Sequence, residues 1–346
     1  MRAVCFVEAG RVEVGDVADP RLEAPTDAVV RVTRAAICGS DLHFLHGKTP
    51  TTAGASLGHE AVGIVEAVGA DVTRVRPGDR VVVSFAVACG ACWFCVRGQT
   101  QLCEHAAAFG AGPFGGDLPG TQAEAVRVPW ADVNLLPVSD GVDDERAVFV
   151  GDVLTTGFHA AAVADPGGDD VVAVIGAGPV GWCATASLLA IGAGRVVVLD
   201  REPVRLALAE GLGATTVDVG ERNAESALGE LTDDRGADVV IDAVGSVEAY
   251  RSASTVVRRG GRVVVAGVYS GESVELQLGV AWARALEIRF TGICPVHAHW
   301  SRVMAEVAAG RLDPTPLVSH RLPLEEAPTG YDLFDRRAAT KVLLRP

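Results

Sequence analysis

Short valine-rich runs alternate with helical runs between about residues 155 and 290, and this alternation restricts the possible fold strongly. Each valine-rich run has the length of a strand, and the runs between them have helical character. The predicted strands cover 171–175, 195–199, 239–243 and 262–266, and the predicted helices cover 180–190, 203–211 and 247–257. Such βαβ units build a parallel sheet whose two faces are both covered by helices.

The turn between the first of these strands and the first helix has the spacing Gly176-x-Gly178-x-x-Gly181. Glycines permit a tight turn and a close approach of the backbone to a pyrophosphate, whose negative charge the helix N-terminus favours. Pro179 and Val180 open the helix and belong to the same predicted binding loop. The strand, the glycine turn and the helix together predict a dinucleotide site.

Asp200 ends the second strand, 19 residues after Gly181. An acid in this position accepts hydrogen bonds from the adenosine ribose hydroxyls and repels a 2′-phosphate. Arg201 and Arg205 follow closely, and an arginine nearby can instead favour that phosphate. Because Asp200 occupies the strand terminus itself, we predict that the protein binds NAD in preference to NADP. Arg201 and Arg205 are both expected near the cofactor. The alternative is that Asp200 is an ordinary surface aspartate.

The rest of the chain has a different pattern. Up to about residue 154, short valine-rich runs at 4–7, 28–32, 61–68 and 80–83 are broken by Gly, Pro and Asp, which predicts a mostly β, barrel-like domain. A helix over 299–309 and a final strand over 341–344 are expected to return to it. We therefore predict a β domain of residues 1–154 and 295–346, with a nucleotide-binding domain of residues 155–294 inserted in it.

Four of the eight cysteines fall within fifteen residues, at Cys89, Cys92, Cys95 and Cys103. Four thiolates can close a tetrahedral shell around one Zn²⁺ without an open position, which defines a structural zinc site. A disulfide pair and chance clustering are the alternatives. The remaining four cysteines are then the ones among which chemistry must be sought.

A second metal site is predicted from Cys38 and His59, soft and borderline ligands suited to zinc. A catalytic zinc keeps three protein ligands and one open position. No cysteine lies between 104 and 182, so we expect a carboxylate as the third ligand: Asp152 at the domain junction, with Glu60 as its competitor. Each residue also has an ordinary structural interpretation, namely a packed thiol, a core histidine or a helix N-cap.

The net charge of −14 argues against nucleic acid and anionic membranes as partners, because phosphate binding needs clustered Lys and Arg. The charge-free stretch 171–194 has the length of a membrane span, but its glycines and strand-like first half favour a buried strand, turn and helix. No signal peptide is apparent at the N-terminus. Eight cysteines in a long chain with a large core fit a reducing compartment, so we expect a cytoplasmic protein.

The chain resembles the zinc-dependent medium-chain alcohol dehydrogenases over essentially its whole length. The resemblance rests on motifs that occur in the family's order: Cys38-Gly-Ser-Asp-Leu-His43, Gly58-His-Glu-Ala-Val-Gly, Arg76-Pro-Gly-Asp-Arg-Val, the four-cysteine lobe, the glycine turn and Asp200. It implies a GroES-like β-barrel catalytic domain and a Rossmann domain with a doubly wound parallel sheet, with the active site in the cleft.

The same resemblance assigns roles by position. Cys38, His59 and Asp152 correspond to the catalytic zinc ligands, and Glu60 to an occasional one. Ser40 and His43 correspond to a proton relay, and Thr156 corresponds to a residue that places the nicotinamide. The alternative for Ser40 is that it caps a turn, and the alternative for His43 is a hydrogen bond to a backbone carbonyl. The implied reaction is hydride transfer between an alcohol and NAD, with two zinc ions per chain. Family members of this length form tetramers or dimers, here through edge strands at 274–278 and 288–290.

The subfamily stays open at this stage. Asp152 with the run that follows it, and Gly292-Ile-Cys-Pro295, resemble the bacterial secondary-alcohol branch, which often prefers NADP, whereas residues 114–124 resemble the formaldehyde-dehydrogenase-like branch. A simple alcohol, a polyol, an amino alcohol or an aldehyde are all candidate substrates. A zinc-free enone reductase on the same fold and a non-enzymatic zinc-binding module are the remaining alternatives.

Overall fold

The computed structural model describes residues 1–269 and 273–346, and in it the chain forms two compact units. One unit consists of Met1–Thr155 and Pro295–Pro346, and the other consists of Thr156–Cys294. The side chains of residues 113 and 114, where the segment 114–124 begins, lie outside the description. Each unit is described below by itself.

The first unit up to residue 155 is built mainly of strands. They are β1 (Arg2–Glu8), β2 (Arg11–Asp16), β3 (Ala28–Ile37), β4 (Glu60–Val68), β5 (Arg80–Val83), β6 (Ala86–Val87), β7 (Ala107–Ala108), β8 (Ala125–Val128) and β9 (Leu135–Pro137). The helices are α1 (Asp41–Leu45), α2 (Ala131–Asn134) and α3 (Asp144–Ala147), and short 3₁₀ turns lie at Cys95–Arg97, Thr100–Leu102, Gly112–Gly115 and Val148–Gly151. Helix α4 (Val153–Ala164) begins at the end of this part of the chain, and most of its residues belong to the second unit.

In the second unit strands and helices alternate. The strands are β10 (Val171–Ile175), β11 (Arg195–Asp200), β12 (Thr215–Asp218), β13 (Ala237–Asp242), β14 (Val257–Val265) and β15 (Glu287–Phe290). The helices are α5 (Pro179–Ala190), α6 (Pro203–Glu210), α7 (Ala224–Thr232), α8 (Val247–Val256) and α9 (Leu278–Ala283).

The chain then returns to the first unit. This segment contains helix α10 (Val296–Ala308), strand β16 (His320–Pro323), helix α11 (Ala327–Asp335) and strand β17 (Val342–Arg345), with 3₁₀ turns at Thr315–Leu317 and Leu324–Glu326. β17 pairs antiparallel with β3, so the C-terminal strand becomes part of the N-terminal sheet.

The main sheet of the first unit has the strand order β16-β17-β3-β4-β5-β9, with β8 also paired to β3. β3 lies between β17 and β4 and is antiparallel to both. Its alternate valines, together with residues of β4, β5 and α11, form the apolar core. Val30, Ala61, Val81 and Leu344 are all fully buried members of that core.

The sheet of the second unit is parallel throughout, with the order β12-β11-β10-β13-β14-β15. Counted within the unit this is 3-2-1-4-5-6, the doubly wound order whose ligand crevice lies where the strand order reverses, here between β10 and β13. Every residue of β10 is buried, as expected for a strand covered on both faces. The predicted fold class, a GroES-like β unit with a Rossmann unit, is confirmed.

Two details differ from the sequence expectations. Residues 274–278 are not a strand: 273–277 have no regular structure and Leu278 begins α9, because the position beside β14 is already occupied by β15. The outer strand β12, with the sequence Thr-Thr-Val-Asp, was not predicted, since a short edge strand carries little of the apolar pattern that marks central ones.

No single helix among the residues that the structure describes is long and apolar enough to cross a membrane. Two consecutive helical segments, 144–151 and 153–164, are together long and apolar enough for a membrane span, although the chain bends between them. Most of its apolar residues, including Phe149, Leu154 and Phe158, are buried inside the protein, as in the core helix of a globular unit.

Candidate metal centres and cofactor site

The residues predicted to hold the catalytic metal lie together where strand β3 of the first unit ends and strand β4 begins. Cys38 follows the end of β3, and His59 and Glu60 stand at the start of β4. Since β3 and β4 run antiparallel with Ala36 opposite Glu60, the end of one strand meets the beginning of the other. Asp152 joins them from the link between the 3₁₀ turn Val148–Gly151 and α4.

The ligand atoms of Cys38, His59, Glu60 and Asp152 all lie within 4.8 Å of one another, and all four residues are buried. Asp152 Oδ2 lies 3.3 Å from His59 Nε2 and 3.7 Å from Cys38 Sγ. Ligands on a tetrahedral zinc, with bonds of about 2.0–2.3 Å, are separated by about 3.3–3.8 Å. The chemistry and spacing of the donors therefore fit one zinc ion.

The environment of Cys38 also favours a cation. Burial raises the pKa of the Cys38 thiol, and the neighbouring Glu60 and Asp152 carboxylates raise it further. Without a metal the thiol consequently stays protonated and donates to Asp152. A divalent ion would reverse the balance, because it neutralises the carboxylate and stabilises the thiolate.

His59 is oriented by a carboxylate that the sequence analysis did not single out. Asp41, fully buried in the first turn of α1, places Oδ1 3.2 Å from His59 Nδ1 and accepts a hydrogen bond from the backbone N–H of Cys38 on Oδ2. Burial disfavours the imidazolium, but Asp41 and Asp152 raise the pKa of His59 well above its usual value. A carboxylate three residues after a cysteine ligand was the available signal for this role.

Glu60 is paired with a second residue that sequence reasoning missed. Lys341 stands directly before β17, which meets the end of β3 with Val342 opposite Ile37. Its Nζ lies 2.8 Å from Glu60 Oε1 and 2.5 Å from Oε2, and neither side chain is exposed. Burial opposes the charge of Lys341, but Glu60 and then Cys38 hold its pKa above the ordinary value. A lysine next to an otherwise apolar terminal strand was the only sequence signal.

Ser40 and His43 lie beside the metal ligands on α1. Ser40 is the N-cap residue of the helix, yet its side chain makes no capping hydrogen bond; its Oγ lies instead 3.1 Å from His59 Nε2. His43 is half-buried in the same short helix. Burial, followed by Lys48 and His46, lowers the pKa of His43. Its imidazole is thus neutral near pH 7 and can accept a proton.

The second cluster is the four-cysteine lobe. Sγ of Cys89 lies 4.0 Å from that of Cys95, Sγ of Cys92 lies 3.9 Å from that of Cys103, and the four sulfurs are all within 4.8 Å of one another. These distances exceed a disulfide bond of about 2.05 Å and match the sulfur spacing of about 3.8 Å expected around zinc. None of the eight cysteines, each among the described residues, forms a disulfide bond.

The lobe around these cysteines has little apolar interior of its own. Trp93, Val96 and Leu102 are 55%, 64% and 51% exposed, and its small buried cluster consists mainly of Cys95, Cys103 and Ala88. Backbone N–H groups, first that of Glu104, lower the pKa of Cys92 to about 6, which favours the thiolate. A bound metal would therefore supply the cohesion that a hydrophobic core supplies elsewhere.

The candidate cofactor site is contained in the second unit. Gly176 has φ +93°, and a Cβ on Gly181 would lie 1.8 Å from the Gly176 carbonyl oxygen, so both positions require glycine. Gly178 caps α5, which begins with Pro179 and Val180. The first backbone amides of a helix have no partner within it, so an anion is favoured at this end of α5.

Asp200 lies at the glycine turn. Its Oδ2 accepts a hydrogen bond of 2.6 Å from the Ala177 amide, and its Oδ1 accepts from the amides of Arg201 and Glu202. Arg205 extends over the turn, with Nη1 3.7 Å from the position of a Cβ on Gly178, whereas Arg201 is exposed and lies 4.0 Å from Glu248. Thr156, which is also predicted to contact the cofactor, is half-buried in α4.

Comparison with known proteins agrees with this architecture. Residues 24–140 match the family model of the alcohol dehydrogenase GroES-like domain, and residues 179–309 match that of the zinc-binding dehydrogenases. The solved alcohol dehydrogenase TADH from Thermus sp. ATN1 is 46% identical, with a TM-score of 0.95 over 100% of this chain and 99% of that one. The uncharacterized zinc-type alcohol dehydrogenase-like protein AdhB of Bacillus subtilis (strain 168) is 37% identical over 380 residues, covering 100% of both chains.

A third relative holds a cofactor. A zinc-binding dehydrogenase from Sinorhizobium meliloti 1021, solved bound to NADP, is 30% identical with a TM-score of 0.87 over 100% of this chain and 99% of that one. The chain belongs to the zinc-dependent alcohol dehydrogenases of the medium-chain dehydrogenase family. The resemblance noted in the sequence is thereby confirmed, and the chemistry of the chain is zinc-dependent alcohol oxidoreduction.

Replacing Lys341 by Met should lower the free energy of unfolding by about 3–5 kcal/mol, because the variant leaves the Glu60 carboxylate buried without its partner. Urea denaturation measures the change. The double variant Lys341→Met/Glu60→Gln should recover part of it, since no unpaired charge remains.

The matched control is Arg336→Met, which removes one partner of an exposed ion pair with Asp332 and should change stability little. A Lys341→Met protein as stable as this control would show that the buried pair does not stabilise the fold.

Proposed function

We propose that the chain oxidises an alcohol to an aldehyde or ketone, or runs the reverse reaction, with NAD as hydride acceptor and zinc held by Cys38, His59 and Asp152. The observation that carries the proposal is the convergence of a thiol, an imidazole and a carboxylate at spacings that match a tetrahedral zinc. A second zinc is assigned to Cys89, Cys92, Cys95 and Cys103, which gives two zinc ions per chain.

Three protein ligands leave one coordination position for the substrate. Glu60 is kept out of the ligand set in this proposal, since both of its oxygens are engaged by Lys341. When bound, zinc acts as a Lewis acid that makes the alcohol hydroxyl more acidic. The remaining work belongs to the side chains around it.

Proton transfer is assigned to Ser40 and His43. The Ser40 hydroxyl contacts a ligand atom of the cluster and is not used for capping, so it is available to relay the alcohol proton, which it accepts as it releases its own hydroxyl proton. His43, whose lowered pKa keeps it neutral, is the final acceptor near the protein surface. Its half-buried position allows the proton to leave to solvent from there.

NAD is assigned to the glycine turn of the second unit. The pyrophosphate would contact the backbone at Gly178, Pro179 and Val180, with Arg205 nearby. Asp200 would accept from the ribose hydroxyls and repel a 2′-phosphate, which supports NAD even though one relative binds NADP. Thr156 is assigned to the nicotinamide on the family resemblance.

The protein is assigned to the cytoplasm, because none of its eight cysteines forms a disulfide bond, which fits a reducing compartment.

Replacing Cys38 by Ala should reduce the turnover of alcohols by about 100-fold or more, because the Lewis acid supplies several kcal/mol. The zinc content should fall from two ions per chain to one while the thermal unfolding midpoint changes little. Elemental analysis and an NAD-coupled assay over a panel of alcohols, polyols and aldehydes provide both readouts.

Two matched variants separate the sites. Cys95→Ala should lose the zinc of the four-cysteine site, and its main effect should be on stability and not on turnover. Cys5→Ala, at a buried cysteine outside both clusters, should keep both zinc ions. Near-normal turnover by Cys38→Ala would contradict the proposed catalytic site.

Replacing Asp200 by Gly should shift the ratio of kcat/KM for NAD to that for NADP by about 10–100-fold toward NADP, since it removes a charged hydrogen-bond acceptor and a repulsive charge. Steady-state kinetics with both cofactors measures the ratio. The same exchange at the exposed Asp169 should leave it unchanged; a wild-type enzyme with no preference between the cofactors would rule out the role of Asp200.

We further propose a homo-oligomer, a dimer or a tetramer, that pairs through the β15 edge of the second unit. Phe290 on the outer strand β15 is 73% exposed, and on the preceding helix α9 Trp282 is 84% and Leu278 72% exposed. Large apolar side chains exposed in this number are unfavourable in water unless another surface covers them, and a second copy offers the same apolar residues beside its own outer strand.

Phe290→Glu should therefore lower the oligomeric mass measured by sedimentation velocity. Val204→Glu, which introduces the same charge at a 68% exposed valine on α6, should not alter the mass. A wild-type protein that sediments as a monomer at micromolar concentration would contradict the proposed pairing.

A further inference from the structure

Behind the metal ligands of the first unit a chain of buried polar side chains continues beyond Asp41, and no role assigned so far explains its two outer members, Gln122 and Tyr331. Tyr331 of α11 is 1% exposed, Gln122, in the loop before β8, is 0% exposed, and Asp41 is 0% exposed. The Tyr331 hydroxyl lies 2.8 Å from Gln122 Oε1, and Gln122 Nε2 lies 3.0 Å from Asp41 Oδ2. Asp41 Oδ1 in turn lies 3.2 Å from His59 Nδ1.

The direction of these contacts follows from the chemistry of the groups. Gln122 Nε2 faces two pure acceptors, the Ala36 carbonyl oxygen and the Asp41 carboxylate, so this end of the side chain must be the amide nitrogen. Oε1 then faces Tyr331, whose hydroxyl has to donate. The amide cannot be turned round without placing two acceptors against each other.

The directed chain continues to the histidine. Asp41 Oδ2 is held by Gln122 Nε2 and by the Cys38 amide, which leaves Oδ1 facing His59. A carboxylate only accepts, so Oδ1 holds a proton on Nδ1, and Nε2 is the nitrogen that would exchange its own proton for the metal when zinc binds. Nε2 is the atom that faces Asp152 Oδ2 at 3.3 Å, in the predicted ligand cluster.

We propose that Gln122 and Tyr331 are positioning residues for His59, which act through Asp41 to fix the proton on Nδ1 and present Nε2 to the zinc. The inference rests on the proposed zinc site and extends it by two residues. It also gives the C-terminal segment a function, because Tyr331 lies more than 270 positions after His59 and belongs to the part of the chain that returns to the first unit.

Packing alone does not account for this arrangement. Tyr331 and Gln122 lie in an otherwise apolar core, where unpaired polar groups are costly and aliphatic or phenyl side chains would fill the space. The backbone also makes room for Gln122: Gly58, next to His59, has φ +90°, and a Cβ there would lie 2.3 Å from Gln122 Cγ. The glutamine side chain therefore occupies a space that only a glycine before the histidine leaves open.

The experiment compares the zinc-loaded wild-type protein with Tyr331→Phe and with Gln122→Met, a variant of similar shape that can neither donate nor accept strongly. Zinc retention is titrated against a chelator, with metal counted per chain. The affinity of the Cys38–His59–Asp152 site should fall by about 10-fold in Tyr331→Phe and by more in Gln122→Met, as is typical when an outer hydrogen-bond partner of a metal ligand is lost. The four-cysteine site should keep its zinc in every variant and serves as the internal reference.

A spectroscopic readout separates positioning from general destabilisation. In protein loaded with Co²⁺ at both sites, the four-cysteine site contributes no histidine, so an exchangeable ring N–H signal shifted by the metal in the proton NMR spectrum belongs to His59. We expect this proton to exchange slowly with solvent in the wild type and faster in both variants. Tyr250→Phe, which removes a buried tyrosine hydroxyl from the other unit, should change neither readout.

The outcomes are distinct. Wild-type zinc affinity and wild-type N–H exchange in both variants would overturn the positioning role and leave the proposed function intact. A wild-type protein that binds zinc only at the four-cysteine site would overturn both. If Gln122→Met does not fold, Tyr331→Phe, which lacks a single hydroxyl, decides the question.

Discussion

The first unit depends on the position of β3. This inner strand ends where its two antiparallel neighbours, β4 and β17, begin. With Ala36 opposite Glu60 and Ile37 opposite Val342, the register brings Cys38, His59, Glu60 and Lys341 together from three distant parts of the sequence. A shift of one residue in either pairing would send these side chains to the opposite face. The chemistry of the unit thus depends on backbone hydrogen bonds made by apolar strands.

The site formed where these strands meet is dominated by buried charge. Three carboxylates, those of Asp41, Glu60 and Asp152, are accompanied by one ammonium group and one imidazole. Lys341 engages Glu60 and Asp41 engages Nδ1 of His59, whereas Asp152 faces both Nε2 of His59 and the thiol of Cys38. This division of partners separates the Lys341–Glu60 pair from the three donors that we propose for zinc.

The two metal clusters differ in what the protein supplies around them. Cys38 and His59 flank the paired ends of β3 and β4, which pack on an apolar core of their own, and Asp152 joins them from the link before α4. Their donor atoms therefore lie close together without a metal. The four-cysteine lobe exposes most of its large apolar side chains, so a metal bound there would mainly hold the loop together. The glycine turn needs no metal, because Gly176 and Gly181 meet a steric requirement of the backbone itself.

Motifs that are local in the sequence were the ones that could be predicted. A single βαβ unit, the glycine turn and the cysteine spacing each lie within about thirty residues, so their physical meaning can be understood without a tertiary structure. The fold class and the family followed from them. The edge strand β12 was missed and a strand at 274–278 was wrongly expected, because pairing at a sheet edge is decided by neighbours and not by composition.

The sequence by itself determined which residues can ligate zinc and which turn can approach a dinucleotide, since those properties belong to residue types and short spacings. Only the tertiary structure decided how the ligands are supported. Lys341, Gln122 and Tyr331 reach the neighbourhood of Cys38 and His59 through strand pairing and helix packing over long stretches of chain. A hydrogen-bond partner is fixed by distance and direction in space, and neither can be obtained from sequence separation.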